Sequence, residues 1–235
     1  MAPVPTPPRW RRALSSPVAV VLANTVSLLL AIDFLLTHAL PLYALLLGWG
    51  VIAVHAVIAG APPAPSLRAS VLTRLRGSPF YVPTRGHVVV SAAGLLAAFV
   101  VLWGVSWAAS ALSIPVGGHV AMRNLGLSAI TLPVYVGAML LIVGPAEEFL
   151  FRHVLQRRLL TGGPARRVVA AGVAFGVVHA LVYGLDVGAV VPVLALSTIG
   201  TVFGITYELT DNLTVPALVH GTYNAALFVG LFVAA

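Results

Sequence analysis

Cysteine is absent, so disulfides, thiolate metal ligands and a cysteine nucleophile are all excluded. Charge is scarce. Only 8% of the 235 residues are charged, against about 25% in an ordinary soluble domain. Six residues are acidic, and all 13 basic residues are arginine. With 60% apolar residues and a mean hydropathy of +1.03, the chain cannot cover itself with a water-compatible surface. A soluble enzyme, a disordered protein and a free-standing nucleic-acid binder are therefore excluded. The formal charge of +7 matters here by its distribution rather than its sum.

What remains is a polytopic membrane protein. Apolar runs bounded by Pro, Gly and Arg give seven candidate spans, at about 17–37, 41–59, 87–112, 130–155, 168–184, 188–206 and 213–234. The first follows Arg9, Arg11 and Arg12 as a signal peptide would, but it is longer than a typical apolar core region and lacks a small-residue cleavage site. It is read as a retained span. With the amino terminus in the cytoplasm, eleven arginines fall on cytoplasmic segments and only Arg123 on the opposite loops, a strong positive-inside bias. The expected fold class is thus an all-α, multi-pass transmembrane bundle of the cell membrane, with about seven spans. An eighth helix near 113–129 would reverse the parity. The chain reads as a single membrane domain, 1–235. Within it, 1–129 supplies N-terminal spans and a basic cytoplasmic loop at 60–86, and 130–228 supplies the helices bearing chemistry. In that loop a short amphipathic piece, Ser66 to Arg76, reads as a helix lying on the inner interface.

Ionisable residues inside the apolar runs carry the functional signal, because a charge at mid-membrane costs roughly 2.5–3.5 kcal/mol on insertion scales and so faces an interior or a wet cavity. The fourth run contains Glu147, Glu148 and Arg152; the fifth contains Phe175 and His179; the seventh contains His220 and Asn224. Residues four apart share a helix face, so each pair stacks. Counted from the flanking polar residues at about 1.5 Å per residue, Glu148, His179 and His220 lie roughly 15, 18 and 12 Å deep. Three helices thus bring polar groups to similar depth. Pro145 removes an amide hydrogen and should kink or restart the fourth helix, placing Glu147 in a first turn. Glu148 and Arg152 read as an intrahelical ion pair, which leaves Glu147 on a different face. Asp33, His38, His119 and Asp186 fall near outer boundaries, His55 has no evident partner, and Glu208 and Asp211 cap or flank the sixth span. Gly172, Gly176, Ala180 and Gly184, with Gly200 and Gly204, repeat every four residues and should let helix backbones approach closely.

A carboxylate, two imidazoles and an amide suit activation of water for attack on a carbonyl, with donors left to hold the oxyanion. Zinc through Glu and His stays open, although His-Glu-x-x-His is absent. Two other intramembrane chemistries fit worse. Gly126-Leu127-Ser128-Ala129 lacks the final glycine of the rhomboid serine motif, and no pair of intramembrane aspartates is present.

Glu-Glu-x-x-x-Arg (Glu147, Glu148, Arg152), Phe-x-x-x-His (Phe175, His179) and His-x-x-x-Asn (His220, Asn224), in this order on successive helices, resemble the three motifs of the CPBP family. This is the group of CAAX prenyl endopeptidases and of bacteriocin-processing or self-immunity membrane proteins, also called Abi. The likeness covers about residues 130–228. It implies an intramembrane endopeptidase acting on a membrane-associated peptide or protein, with the prenylated CAAX type among its substrates. It implies Glu147 as general base on water, assisted by His179, and His220 with Asn224 as the oxyanion hole. Glu148 and Arg152 would orient the site and Phe175 would pack beside His179, with no cofactor and no metal required. The lipid bilayer is the other implied partner, and no nucleic acid is. The competing reading is a non-catalytic membrane immunity or scaffold protein in which the same polar residues staple helices. Seven spans put the carboxyl terminus outside, so a protease site appended there should be cut on intact cells, and its protection would require an even number of spans.

Overall fold

The computed structural model describes residues 80–118, 127–183 and 187–234, which contain five long helices and no strand. Helix α1 is Arg85–Ala111, α2 is Leu132–Leu159, α3 is Pro164–Tyr183, α4 is Val190–Thr210 and α5 is Thr214–Ala234. A 3₁₀ turn at Val187–Ala189 leads into α4. Four of these, namely α1, α2, α4 with its leading turn, and α5, are long and apolar enough to cross a membrane. The described part is a helical membrane bundle. Its five helices match the last five expected runs, with α3 starting earlier, at Pro164. The runs at 17–37 and 41–59 and the amphipathic piece at 66–76 lie outside the described residues, as do Asp33, His38, His55, His119 and Asp186. Of the suggested eighth helix, residues 114–118 are not helical and 119–126 are not described.

The ends of the helices follow local chemistry. Thr84 caps α1, its hydroxyl accepting from the His87 amide at 3.3 Å. The turn between α2 and α3 passes through Gly162 at φ +107°, a conformation open only to glycine at low cost. Asp211 closes α4 in the left-handed region, at φ 47°, and its amide donates to the Tyr207 carbonyl at 2.8 Å. The buried Asn212 then opens α5, accepting from the Thr214 amide at 3.0 Å. The same carboxamide clamps the chain before α1, accepting from Tyr81 N and donating to Tyr81 O, both at 3.1 Å.

Helix α2 does not restart at Pro145, the second of the two outcomes expected there. It runs on from Leu132 to Leu159, but it widens. Met139–Val143 and Phe149–Leu159 form π-type turns around a short α segment, Gly144–Glu148. The Gly144 amide reaches back five residues to Met139 O, so the helix is already wide where the proline ring enters. Glu147 therefore does not sit at an open helix terminus. The widening also explains the burial pattern. Val143, Gly144, Glu147, Glu148, Phe151, Arg152, Leu155 and Gln156 are all buried on a four-residue repeat, with Leu150 the one other buried position between 143 and 156. An ideal α-helix turns 400° in four residues and would carry such a stripe off its partner by roughly 40° each time. Wider turns hold it on one face.

Glycines set the helix spacings. A side chain at Gly172 would collide with Thr201, and one at Gly176 with Ser197 and the Val193 carbonyl, so α3 and α4 meet almost backbone to backbone. Gly200 and Gly204 serve differently, giving room to the Phe175 ring and to Arg152 with Gln156. A second close crossing joins α2 to α5. A Cβ at Gly144 would lie 2.8 Å from both Ala217 O and Gly221 N, and one at Gly221 would lie 2.9 Å from Met139 O. Backbone atoms cannot yield there, so Gly144→Ala should destabilise the protein by about 1–3 kcal/mol, the usual cost of overpacking. Gly137→Ala in the same helix meets nothing within 4 Å and should be neutral or stabilising. Thermal unfolding of the two variants in detergent separates the cases.

Candidate active site

The Gly144–Gly221 crossing brings the acidic pair of α2 against the first histidine of α5. Glu148 is fully buried and its two oxygens are divided between two partners. Oε2 accepts from Arg152 Nε at 2.7 Å, and Oε1 lies 2.9 Å from His220 Nδ1. The ion pair read from the sequence is therefore present, but it is part of a three-residue array that ties α2 to α5. Burying these charges is tolerable only because they are paired and hydrogen-bonded.

This array fixes a tautomer. A carboxylate in an ion pair only accepts, so His220 must present Nδ1–H to Glu148. Its Nε2 faces Glu147 Oε2 at 3.7 Å. On α3, His179 Nδ1 lies 2.7 Å from the Phe175 carbonyl one turn earlier, which can only accept, so that nitrogen also carries its hydrogen. His179 Nε2 faces the same Glu147 oxygen at 3.9 Å. Glu147 Oε2 is buried without a hydrogen-bond partner among the described residues. In the neutral imidazoles, three acceptors from three helices thus converge on one point, at distances too long for direct bonds and suited to a bridging water. Such a water could donate one hydrogen to the carboxylate and the other to an imidazole.

Aromatic rings wall the cluster. Phe175 packs on His179 with centroids 4.4 Å apart and meets the His220 ring edge-on at 5.5 Å. Phe203 of α4 stacks on His220 at 4.8 Å and 20°. The Arg152 guanidinium carbon lies 5.7 Å from the Phe175 centroid and 6.0 Å from that of Phe151, so its charge rests among π faces. These rings pack against both imidazoles and restrict their rotation.

Of the residues singled out by sequence, Glu147, Glu148, Arg152, Phe175, His179 and His220 come together directly. Asn224 lies one turn beyond His220 on α5, half-buried, and its amide has no partner among the described residues. Among the described residues, no group of three His, Cys, Asp or Glu is arranged to hold a metal ion. Ser128 is engaged with Thr131, at 2.9 Å from its amide to the threonine hydroxyl, and not with a histidine.

The sequence reading missed Phe203 and Gln156. Phe203 is one apolar residue in an apolar helix, and nothing marks it. Gln156 was legible in principle, since 148, 152 and 156 continue one four-residue line of polar side chains. Glu208 and Asp211, read as capping or flanking residues, also bind neighbours. Arg157 pairs with Asp211 at 2.6 Å, and Glu208 accepts from Gln156 at 3.2 Å and Arg167 at 3.3 Å.

Compared with known proteins, residues 129–226 match the family described as type II CAAX prenyl endopeptidase, Rce1-like. No curated protein and no solved structure matches the chain.

The two adjacent glutamates differ sharply in what their loss would do. Glu148→Gln removes the counter-charge of a buried arginine and should lower stability by about 3–5 kcal/mol. Glu147→Gln changes an oxygen with no direct bond and should move the unfolding midpoint little. Calorimetry or dye-based unfolding in detergent gives both values.

Proposed function

Because residues 129–226 form a domain of the Rce1-like family of type II CAAX prenyl endopeptidases, we propose that this protein is an intramembrane endopeptidase whose attacking water is activated by Glu147. One observation supports this above the rest. A buried, unbonded carboxylate oxygen on one helix has imidazole nitrogens from two other helices 3.7 and 3.9 Å away.

The water held there gives a proton to Glu147 while its oxygen forms a bond to the scissile carbonyl carbon. His179 Nε2 accepts the second hydrogen bond from the water and orients its lone pair. Negative charge moves to the carbonyl oxygen. His220 can donate to that oxygen from Nε2 only when the ring is doubly protonated; the second proton is the one taken from the water, relayed from Glu147 Oε2 at 3.7 Å and passed back before collapse, while Glu148 at 2.9 Å holds Nδ1–H. The Asn224 amide supplies the second donor. Collapse of the adduct breaks the C–N bond, and Glu147 returns its proton to the leaving amine. Glu148, Arg152 and Phe175 hold this geometry without touching substrate. No step requires a metal or cofactor.

The substrate class follows the family: a membrane-associated peptide or protein, prenylated near its carboxyl terminus. On this reading 1–235 is one multi-pass domain of the cell membrane with its amino terminus inside, and 130–228 carries the chemistry. The Glu148–His220 bond favours one competing reading, a non-catalytic membrane protein in which these residues only staple α2 to α5.

Purified protein incubated with prenylated and bare CAAX peptides, with and without chelator, separates the two. Turnover should persist with chelator. It should fall by a factor of about 10² to 10⁴ in Glu147→Gln, in protein that still unfolds cooperatively. Undiminished cleavage by Glu147→Gln overturns the assignment. No cleavage by the wild type, with alanine variants that only lose stability, would favour the stapling reading.

A further inference from the structure

Two fully buried side chains on α2 are left with complementary needs. Arg152 donates from Nε to Glu148, but Nη1 and Nη2 find no partner among the described residues. Gln156, one turn later, donates from Nε2 to Gly204 O and Glu208 Oε2, both at 3.2 Å, while its Oε1 finds none. One of the unsatisfied donors, Nη1, and the unsatisfied acceptor meet the same glycine. The Cβ position at Gly204 lies 2.8 Å from Gln156 Oε1 and 3.4 Å from Arg152 Nη1, which places both atoms in the space that glycine leaves open. Left unbonded, each of the three would bear the full desolvation penalty of a buried polar group. One water with three polar partners removes that cost.

We propose that Gln156 is a positioning residue of the reaction: its carboxamide oxygen, through one buried water, holds the outer nitrogens of Arg152 and thereby fixes Glu148 and the Nδ1–H tautomer of His220. The proposal rests on the proteolytic reading for its kinetic consequence, though not for its structural one. It joins a line of contacts that otherwise breaks in the middle. Arg167 and Arg157 hold Glu208, Glu208 and Gly204 hold the Gln156 amide, Gln156 holds Arg152, and Arg152 holds Glu148 against His220. The reaction centre is thereby anchored to the ion cluster where α2, α3 and α4 end or begin. Without the Gln156 link, Arg152 is fixed to that frame only by its stem and by ring contacts, and Glu148 has freedom to turn.

The test uses full-length protein in detergent with ¹⁵N-labelled histidine, the His220 signals being assigned by their loss in His220→Ala. Wild type should show His220 as a single Nδ1–H species. Gln156→Leu, close in size but without polar atoms, should give a mixed or broadened pair. Gln156→Glu combined with Glu208→Gln, which keeps an oxygen toward Arg152 and restores a donor between the two side chains, should recover the wild-type spectrum. In the peptide assay, Gln156→Leu should lower kcat about tenfold or more with KM within about twofold, the pattern of lost orientation rather than lost binding, and the double variant should regain most of it. A wild-type His220 spectrum in Gln156→Leu overturns the proposal, as does a KM-only effect. If Gln156→Leu fails to fold, Gln156→Glu alone decides: a wild-type spectrum and kcat support the oxygen contact, and loss of both despite cooperative unfolding overturns it. Absence of wild-type turnover would sink the proteolytic reading and leave the His220 spectrum to decide this one.

Discussion

The described fold turns on a single carboxylate. Glu148 cannot sit fully buried between helices unless its charge is answered, and it is answered on both sides, by Arg152 within its own helix and by His220 across the crossing. Most other local features serve that arrangement. Gly144 and Gly221 let the two backbones come close enough for a 2.9 Å bond between side chains that start on different helices. Gly204 and Gly200 make the room in α4 that an arginine and a phenylalanine occupy. The aromatic rings of Phe151, Phe175 and Phe203 then surround the charges with surfaces that accept a cation or an imidazole.

The same carboxylate gives the neighbouring one its chemical opportunity. By accepting a hydrogen bond from His220 Nδ1–H, Glu148 leaves Nε2 turned toward Glu147, and the Phe175 carbonyl does the same for His179. Glu147 is therefore the oxygen that structural bonds leave over. Adjacent acidic residues in one helix have divided the tasks: one is consumed in holding the frame, and the other is kept available within it.

Much of this was legible in the sequence because polar residues stand out against so apolar a chain. Ionisable groups at similar depth on three runs named Glu148, His179 and His220, the ion pair set Glu147 apart on another face, and the four-residue spacings named Arg152, Phe175 and Asn224. Helices appear where five of the expected runs lie. The illegible parts have physical reasons. Phe203 contributes by its stacking geometry, which an apolar letter among apolar letters does not disclose. The bonds of Glu208 to Gln156 and Arg167 depend on which helix ends meet, a tertiary fact. The wide turns of α2 on either side of Pro145 were missed because a period of 3.6 was assumed. The four-residue polar line through 148, 152 and 156 was the available clue that the period is longer there.

That longer period gives α2 slack that an ordinary helix lacks. Swapping one apolar side chain for another between 139 and 143 leaves the phase of the helix untouched. Removing one residue there would let the wide turn relax toward ordinary α geometry, and because a wide turn spends about one more residue per revolution, the pair of glutamates would keep nearly its direction. The same deletion inside Gly144–Glu148 has no wide turn to relax and would swing the side chains beyond it by about 100°. Comparisons among related chains should therefore tolerate a one-residue gap at 139–143 and none between Gly144 and Glu148.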